Sequence, residues 1–142
     1  LLFIARDEPI VEEIDERLDL FDSKTTILTS IVCVAELLTL ARLNGWGDNR
    51  TKELQRFLER IPTAWLSDDV VQRYVEIDTF SQGRDPERPL DMSARNMGKN
   101  DLWIAATASV LEATLVTSDQ DFDHLDPWFL SLEFIDRRGE RK

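Results

Sequence analysis

The chain is 142 residues long, 42% hydrophobic and 32% charged, which fits a single domain large enough to bury its own core. Its 28 acidic and 17 basic side chains leave a net charge of −11, which argues against loose, charge-driven nucleic-acid binding and suits a protein that gathers cations or meets a basic partner. One cysteine (Cys33) excludes an internal disulfide framework and fits a reducing, cytoplasmic setting, one histidine (His124) excludes a Cys/His zinc site within one chain, and no apolar run is long enough to span a membrane.

In chain order, Leu1-Leu2-Phe3-Ile4-Ala5 reads as the end of a buried strand or the start of a helix. Ile10, Ile14, Leu18 and Phe21 recur at helical spacing with acids opposite. Thr25 to Thr29 is short and β-branched and predicts a strand. Ser30 offers an N-cap to an apolar helix from Ile31 to about Leu43, which Asn44-Gly45 terminates. A further helix runs from about Asn49 to Ile61, with Leu54, Phe57, Leu58 and Ile61 on one face, and Pro62 stops it. Ala64-Trp65-Leu66 predicts a short strand, after which Ser67 or Asp68 caps a helix carrying Val71, Tyr74, Val75 and Phe80.

From Gln82 to Lys99, glycines, prolines and mixed charges predict a long connection with room for one turn of helix near Met92. Connections of this length inside compact domains tend to be functional or mobile. Asn100 then caps a helix from Asp101 to Glu112. Leu115-Val116-Thr117 predicts a strand, Asp119 to Asp123 an acidic turn, Leu132 to Ile135 a last strand, and Arg137 to Lys142 a charged tail. Strands alternating with helices predict an α/β class: one domain over 1–142 with a mainly parallel sheet flanked by helices. Such sheets present ligand sites beyond the carboxyl ends of their strands.

Three acids fall near such places. Glu36 lies early in an apolar helix, Asp101 opens another, and Asp119 follows a strand. Each has a plainer alternative: Glu36 facing water, Asp101 complementing a helix dipole, Asp119 turning or capping the chain. Together they are the oxygen donors a hard cation such as Mg²⁺ takes, and a metal-held water attacking a phosphodiester is the chemistry they would support. Asp121 and Asp123 either supplement that site or are solvated surface acids. The run from Asp119 is not a calcium loop, because His124 and Leu130 stand where that loop needs glycine and glutamate. His124 is a general-base candidate whose structural reading is favoured, and Ser131 and Cys33 lack a positioned histidine for a nucleophile triad.

Lys99-Asn100-Asp101-Leu102-Trp103-Ile104-Ala105-Ala106-Thr107-Ala108, followed by Thr114-Leu115-Val116-Thr117-Ser118-Asp119-Gln120-Asp121-Phe122, resembles the carboxyl-terminal half of a PIN domain, above all in VapC-type toxins of toxin–antitoxin pairs. Ser30 to Leu37 resembles the same family's strand-to-helix segment, with Glu36 as its acid. The resemblance implies a parallel sheet flanked by helices and a Mg²⁺- or Mn²⁺-dependent ribonuclease that dimerises and is held inactive by an antitoxin. It also implies Glu36, Asp101 and Asp119 as metal ligands, with Thr117 and Asp121 in support.

The family's first strand ends in a metal-binding Asp just before an apolar run. Here the run is Leu1 to Arg6 and that Asp is missing; Asp7 lies after the run and is not assigned the role. The expectation is a chain truncated at its N-terminus, or one that natively extends upstream, with weak metal binding in the short form. Arg84, Arg88, Arg95 and Lys99 are the candidate RNA contacts, against a solvated mixed-charge loop as the alternative. Trp46, Trp65, Trp103 and Trp128 are read as core or interface packing residues ahead of base-stacking ones. The rival to the enzyme is a noncatalytic module of the same fold that engages an antitoxin or a second copy of itself.

Overall fold

The structure, a computed structural model, describes residues 26–135. The expectations for Leu1 to Ala5, for Ile10 to Phe21, for Thr25 and for the tail from Arg137 lie outside those residues. The described residues form two compact units that divide between Ala64 and Trp65. None of their helices is long and apolar enough to cross a membrane.

The first unit holds β1 (Thr29–Ser30), α1 (Ile31–Leu43), α2 (Asp48–Glu59) and β2 (Thr63–Ala64). Ser30 is the expected N-cap, its hydroxyl accepting from the Cys33 N–H at 3.1 Å. At the other end of α1 the backbone turns left-handed at Gly45 (φ 63°), where a side chain would be strained. Gly45 N–H donates to the Arg42 carbonyl and Trp46 N–H to the Ala41 carbonyl, satisfying two of the helix's last acceptors. Trp46 thereby folds back onto the small core of Leu37, Ala41, Leu54 and Leu58, with the Arg50 guanidinium 3.7 Å above its ring. The strands are shorter than predicted. They pair in parallel, Thr29 with Thr63 and Ser30 with Ala64, and β2 ends before Trp65 and Leu66.

The second unit holds α3 (Asp68–Ser81), α4 (Lys99–Val110), β3 (Thr114–Thr117), a 3₁₀ helix (Gln120–Leu125) and β4 (Ser131–Phe134). Ser67 caps α3, accepting from Val70 N–H. Val70, Ile77 and Phe80 line one side of α3 and share a core with Leu102, Ala105 and Ala106 of α4. The alanines let the two helix backbones approach, while Ile77, Phe80 and Leu102, all essentially inaccessible, each contribute about 1.5–3 kcal/mol of burial. Tyr74 and Trp103 pack beside this seam, ring centroids 4.3 Å apart and planes tilted by 42°. β3 and β4 are parallel, with Thr114 opposite Ser131 and Thr117 opposite Phe134, so both strand pairs bear out the parallel α/β reading.

Two further features differ from expectation. No turn of helix forms near Met92, since Pro86 and Pro89 lack donors and restrict the residues before them, and the connection stays irregular. Helix α4 begins at Lys99, two residues early. Its cap is the backbone of Gly98, whose carbonyl accepts from Leu102 N–H, so Asn100 lies inside the first turn.

Candidate functional site

The chain leaves β3 at Thr117 and turns at once. The Thr117 hydroxyl accepts from the Asp119 N–H at 3.1 Å. The Asp119 carboxylate accepts from the Asp121 N–H at 2.9 Å and so caps the 3₁₀ helix. Phe122 and Leu125, three residues apart and therefore on one side of a 3₁₀ helix, are buried, as is His124, while Asp121 and Asp123 are exposed. Asp101 is half-buried at the third position of α4, where a carboxylate also complements the helix dipole. Asp101, Asp119 and Asp121 each place an oxygen so that all three lie within 4.8 Å of one another. Among the described residues, no other trio of His, Cys, Asp or Glu converges in this way.

Two sequence candidates, Asp101 and Asp119, are thus brought together. Asp121, read beforehand as a supporting residue, is a full member of the cluster. The signal for it was available: an Asp two residues after another Asp that turns the chain onto its own backbone. Glu36 lies exposed on α1 of the first unit. Of the four bases, Arg88 is committed to the fold, facing Asp85 at 3.5 Å and Glu76 at 3.7 Å and lying over the Phe129 ring. Arg95 donates to the Gln120 carbonyl at 3.2 Å, while Arg84 and Lys99 are exposed. Trp128 is 55% exposed but meets the Phe80 ring, centroids 6.5 Å apart, while Trp65 is 70% exposed.

His124 does not face the cluster's solvent side. It is buried, its Nε2 lies 2.7 Å from the Ser81 hydroxyl, and its Nδ1 has no partner. Burial and then the nearby Arg95 charge hold its pKa below the ordinary 6.5, against the opposing pull of Asp123 and Asp121. A histidine so enclosed is a structural anchor, which matches the favoured sequence reading.

The donor set suits a hard cation. Three carboxylate oxygens within 4.8 Å of one another are the kind of oxygen ligands that would hold Mg²⁺. Gly98 lies beside the cluster, where a Cβ would make an ordinary 3.5 Å contact with Asp101 Oδ2. All three donors are carboxylates, as Mg²⁺ or Mn²⁺ prefers, and none is a soft sulfur.

The PIN domain family model matches residues 1–126 of this chain. The chain belongs to the PIN domain family. Solved structures place this PIN domain among the VapC type. It is 25% identical to a chain of VapBC2 from Rickettsia felis, a structure bound to a DNA fragment from their promoter; the match covers 94% of this chain and 91% of that one, with a TM-score of 0.75. It is 27% identical to a chain of VapBC-5 from Mycobacterium tuberculosis, a member of the VapBC family of toxin–antitoxin systems, over 77% of this chain and 80% of that one, with a TM-score of 0.51. VapBC-1 from nontypeable Haemophilus influenzae shares the fold at 21% identity and a TM-score of 0.68, over 87% of this chain and 84% of that one. No curated protein matches the chain.

Proposed function

We propose that this PIN domain is a metal-dependent endoribonuclease of the VapC toxin class, restrained by a cognate antitoxin and acting as a homodimer in the cytoplasm. The observation that carries the reading is the convergence of Asp101, Asp119 and Asp121, from the start of a helix and the turn after a strand, on one point at the carboxyl end of β3. A bound Mg²⁺ or Mn²⁺ would supply an activated water and neutralise charge developing on the phosphate.

The protein's own residues hold and orient. Asp101, Asp119 and Asp121 present the carboxylates, and Thr117 fixes the backbone from which Asp119 projects. Glu36 is assigned as a further ligand on the sequence resemblance alone. Arg84, in the connection before α4, and Lys99, the first residue of α4, are both exposed and are the bases assigned to the RNA backbone. They supply locally the positive charge that the protein as a whole lacks.

The test is cleavage of a mixed single-stranded RNA pool with Mg²⁺ or Mn²⁺, comparing wild type, wild type with EDTA, and Asp101→Asn. Cleavage should require the metal and fall by at least 100-fold in the variant. Metal-independent cleavage, or equal rates in Asp101→Asn, would remove the catalytic assignment and leave the noncatalytic partner-binding module as the better reading.

A further inference from the structure

The 3₁₀ turn that carries two of the three clustered aspartates is tied at both ends to one residue, Ser81, the last of α3. At the far end, His124 Nε2 meets the Ser81 hydroxyl at 2.7 Å; Ser81 is fully buried and His124 nearly so. At the near end the link runs through Arg95. Its own N–H donates to the Ser81 carbonyl at 2.7 Å, and its guanidinium donates to the Gln120 carbonyl at 3.2 Å.

The Gln120 carbonyl and the Asp121 N–H belong to one peptide unit and point in opposite directions across it. Arg95 therefore holds one side of a plane whose other side donates to the Asp119 carboxylate at 2.9 Å. Fixing that plane sets the direction of the Asp119 carboxylate and the point from which the Asp121 side chain leaves the backbone. Charge-assisted donation to the carbonyl also polarises the amide and strengthens its N–H as a donor.

From this circuit we infer that Ser81, Arg95 and His124 are positioning residues: they clamp the turn so that Asp119 and Asp121 face Asp101 in ligating geometry. The inference rests on the metal reading above for its purpose, but not for its structure. It assigns Arg95 to shaping the site from within.

Charge and positioning predict opposite signs for Arg95. If the guanidinium acted only through its charge, removing it would strengthen binding of a cation to three nearby carboxylates. If it positions them, removing it weakens binding, and changes to partners of metal ligands typically weaken affinity 10–100-fold. The experiment uses the full chain and Mn²⁺ alone, titrated by electron paramagnetic resonance into wild type, Arg95→Ala and Arg95→Lys. Backbone hydrogen exchange is measured in parallel, in EDTA.

Arg95→Ala should weaken Mn²⁺ binding about 10-fold and speed exchange of the Asp121 amide at least 10-fold, with α3 and α4 unchanged. Arg95→Lys, which keeps a donor, should recover most of both. Wild-type exchange at Asp121 in Arg95→Ala, or unchanged or tighter Mn²⁺ binding, would overturn the clamp. A wild type that takes up no Mn²⁺ would instead defeat the metal reading, and the exchange result alone would then decide whether the clamp exists.

Discussion

Asp119 has two duties that substitution can separate. Its carboxylate caps the 3₁₀ helix through the Asp121 N–H, and it belongs to the acidic cluster. Asn keeps the capping oxygen and drops the charge, whereas Ala drops both. The cluster's oxygens lie within 4.8 Å of one another, and at that bound two unit charges in water repel by about 0.9 kcal/mol. Asp119 takes part in two such pairs, and physiological salt screens their sum to about 1 kcal/mol. In EDTA, Asp119→Asn should therefore be about 1 kcal/mol more stable than wild type. Asp119→Ala gains the same but loses a cap worth about 1 kcal/mol, which leaves it level with wild type.

Added Mn²⁺ should invert that order. At about 100 times its Kd, the ion stabilises wild type by about 2.7 kcal/mol, whereas a variant that has lost 100-fold in affinity gains only about 0.4 kcal/mol. Wild type then ranks above Asn, and Asn above Ala. Thermal melts resolve the steps, since 1 kcal/mol moves Tm by about 3–5 °C in a chain of this size. Asp119→Asn remaining the most stable form with and without Mn²⁺ would refute Asp119 as a ligand. Asn and Ala melting together in EDTA would refute the cap.

His124 gives a pH signature. Because its folded pKa lies below 6.5, the unfolded chain takes up the proton first as pH falls, so its contribution to stability is complete above 6.5 and declines as pH drops toward the folded value. Tm should fall over that window, and His124→Gln or His124→Phe should flatten the fall when compared with wild type over the same pH series; parallel profiles would count against the buried neutral histidine. Glu112 sits at φ 52°, with the turn after α4 closed by Glu112 N–H to the Ser109 carbonyl and Ala113 N–H to the Ala108 carbonyl. Glycine suits that conformation, so Glu112→Gly should raise stability by about 0.5–1 kcal/mol in urea melts, and a loss would contradict the left-handed turn.

The parts of the fold that were legible in the sequence are those where one side chain decides locally. Ser30 and Ser67 each have a hydroxyl where a helix needs an acceptor, and both caps form. Gly45 supplies the backbone freedom that ends α1. The start of α4 was misplaced because Asn100 looks like a cap, whereas the helix takes its first acceptor from the backbone of Gly98, which carries no side-chain signal. The strand lengths were overestimated, since the β-branched run before Ser30 has preference, but among its described residues only Thr29 pairs. In the site, Asp101 and Asp119 were visible as acids at element ends. Asp121 was undervalued because helical and strand periodicities do not describe a short 3₁₀ turn, and the clamp was invisible because it joins Ser81, Arg95 and His124 from separate parts of the chain.

The placement of Asp101 in the first turn of α4 sets how tightly an ion can be kept. The partial positive charge of the helix start lies beside the same carboxylate that joins the other two in the cluster, so it opposes an approaching dication. Occupancy should consequently follow the surrounding ion concentration, with exchange on and off faster than three unopposed carboxylates would allow.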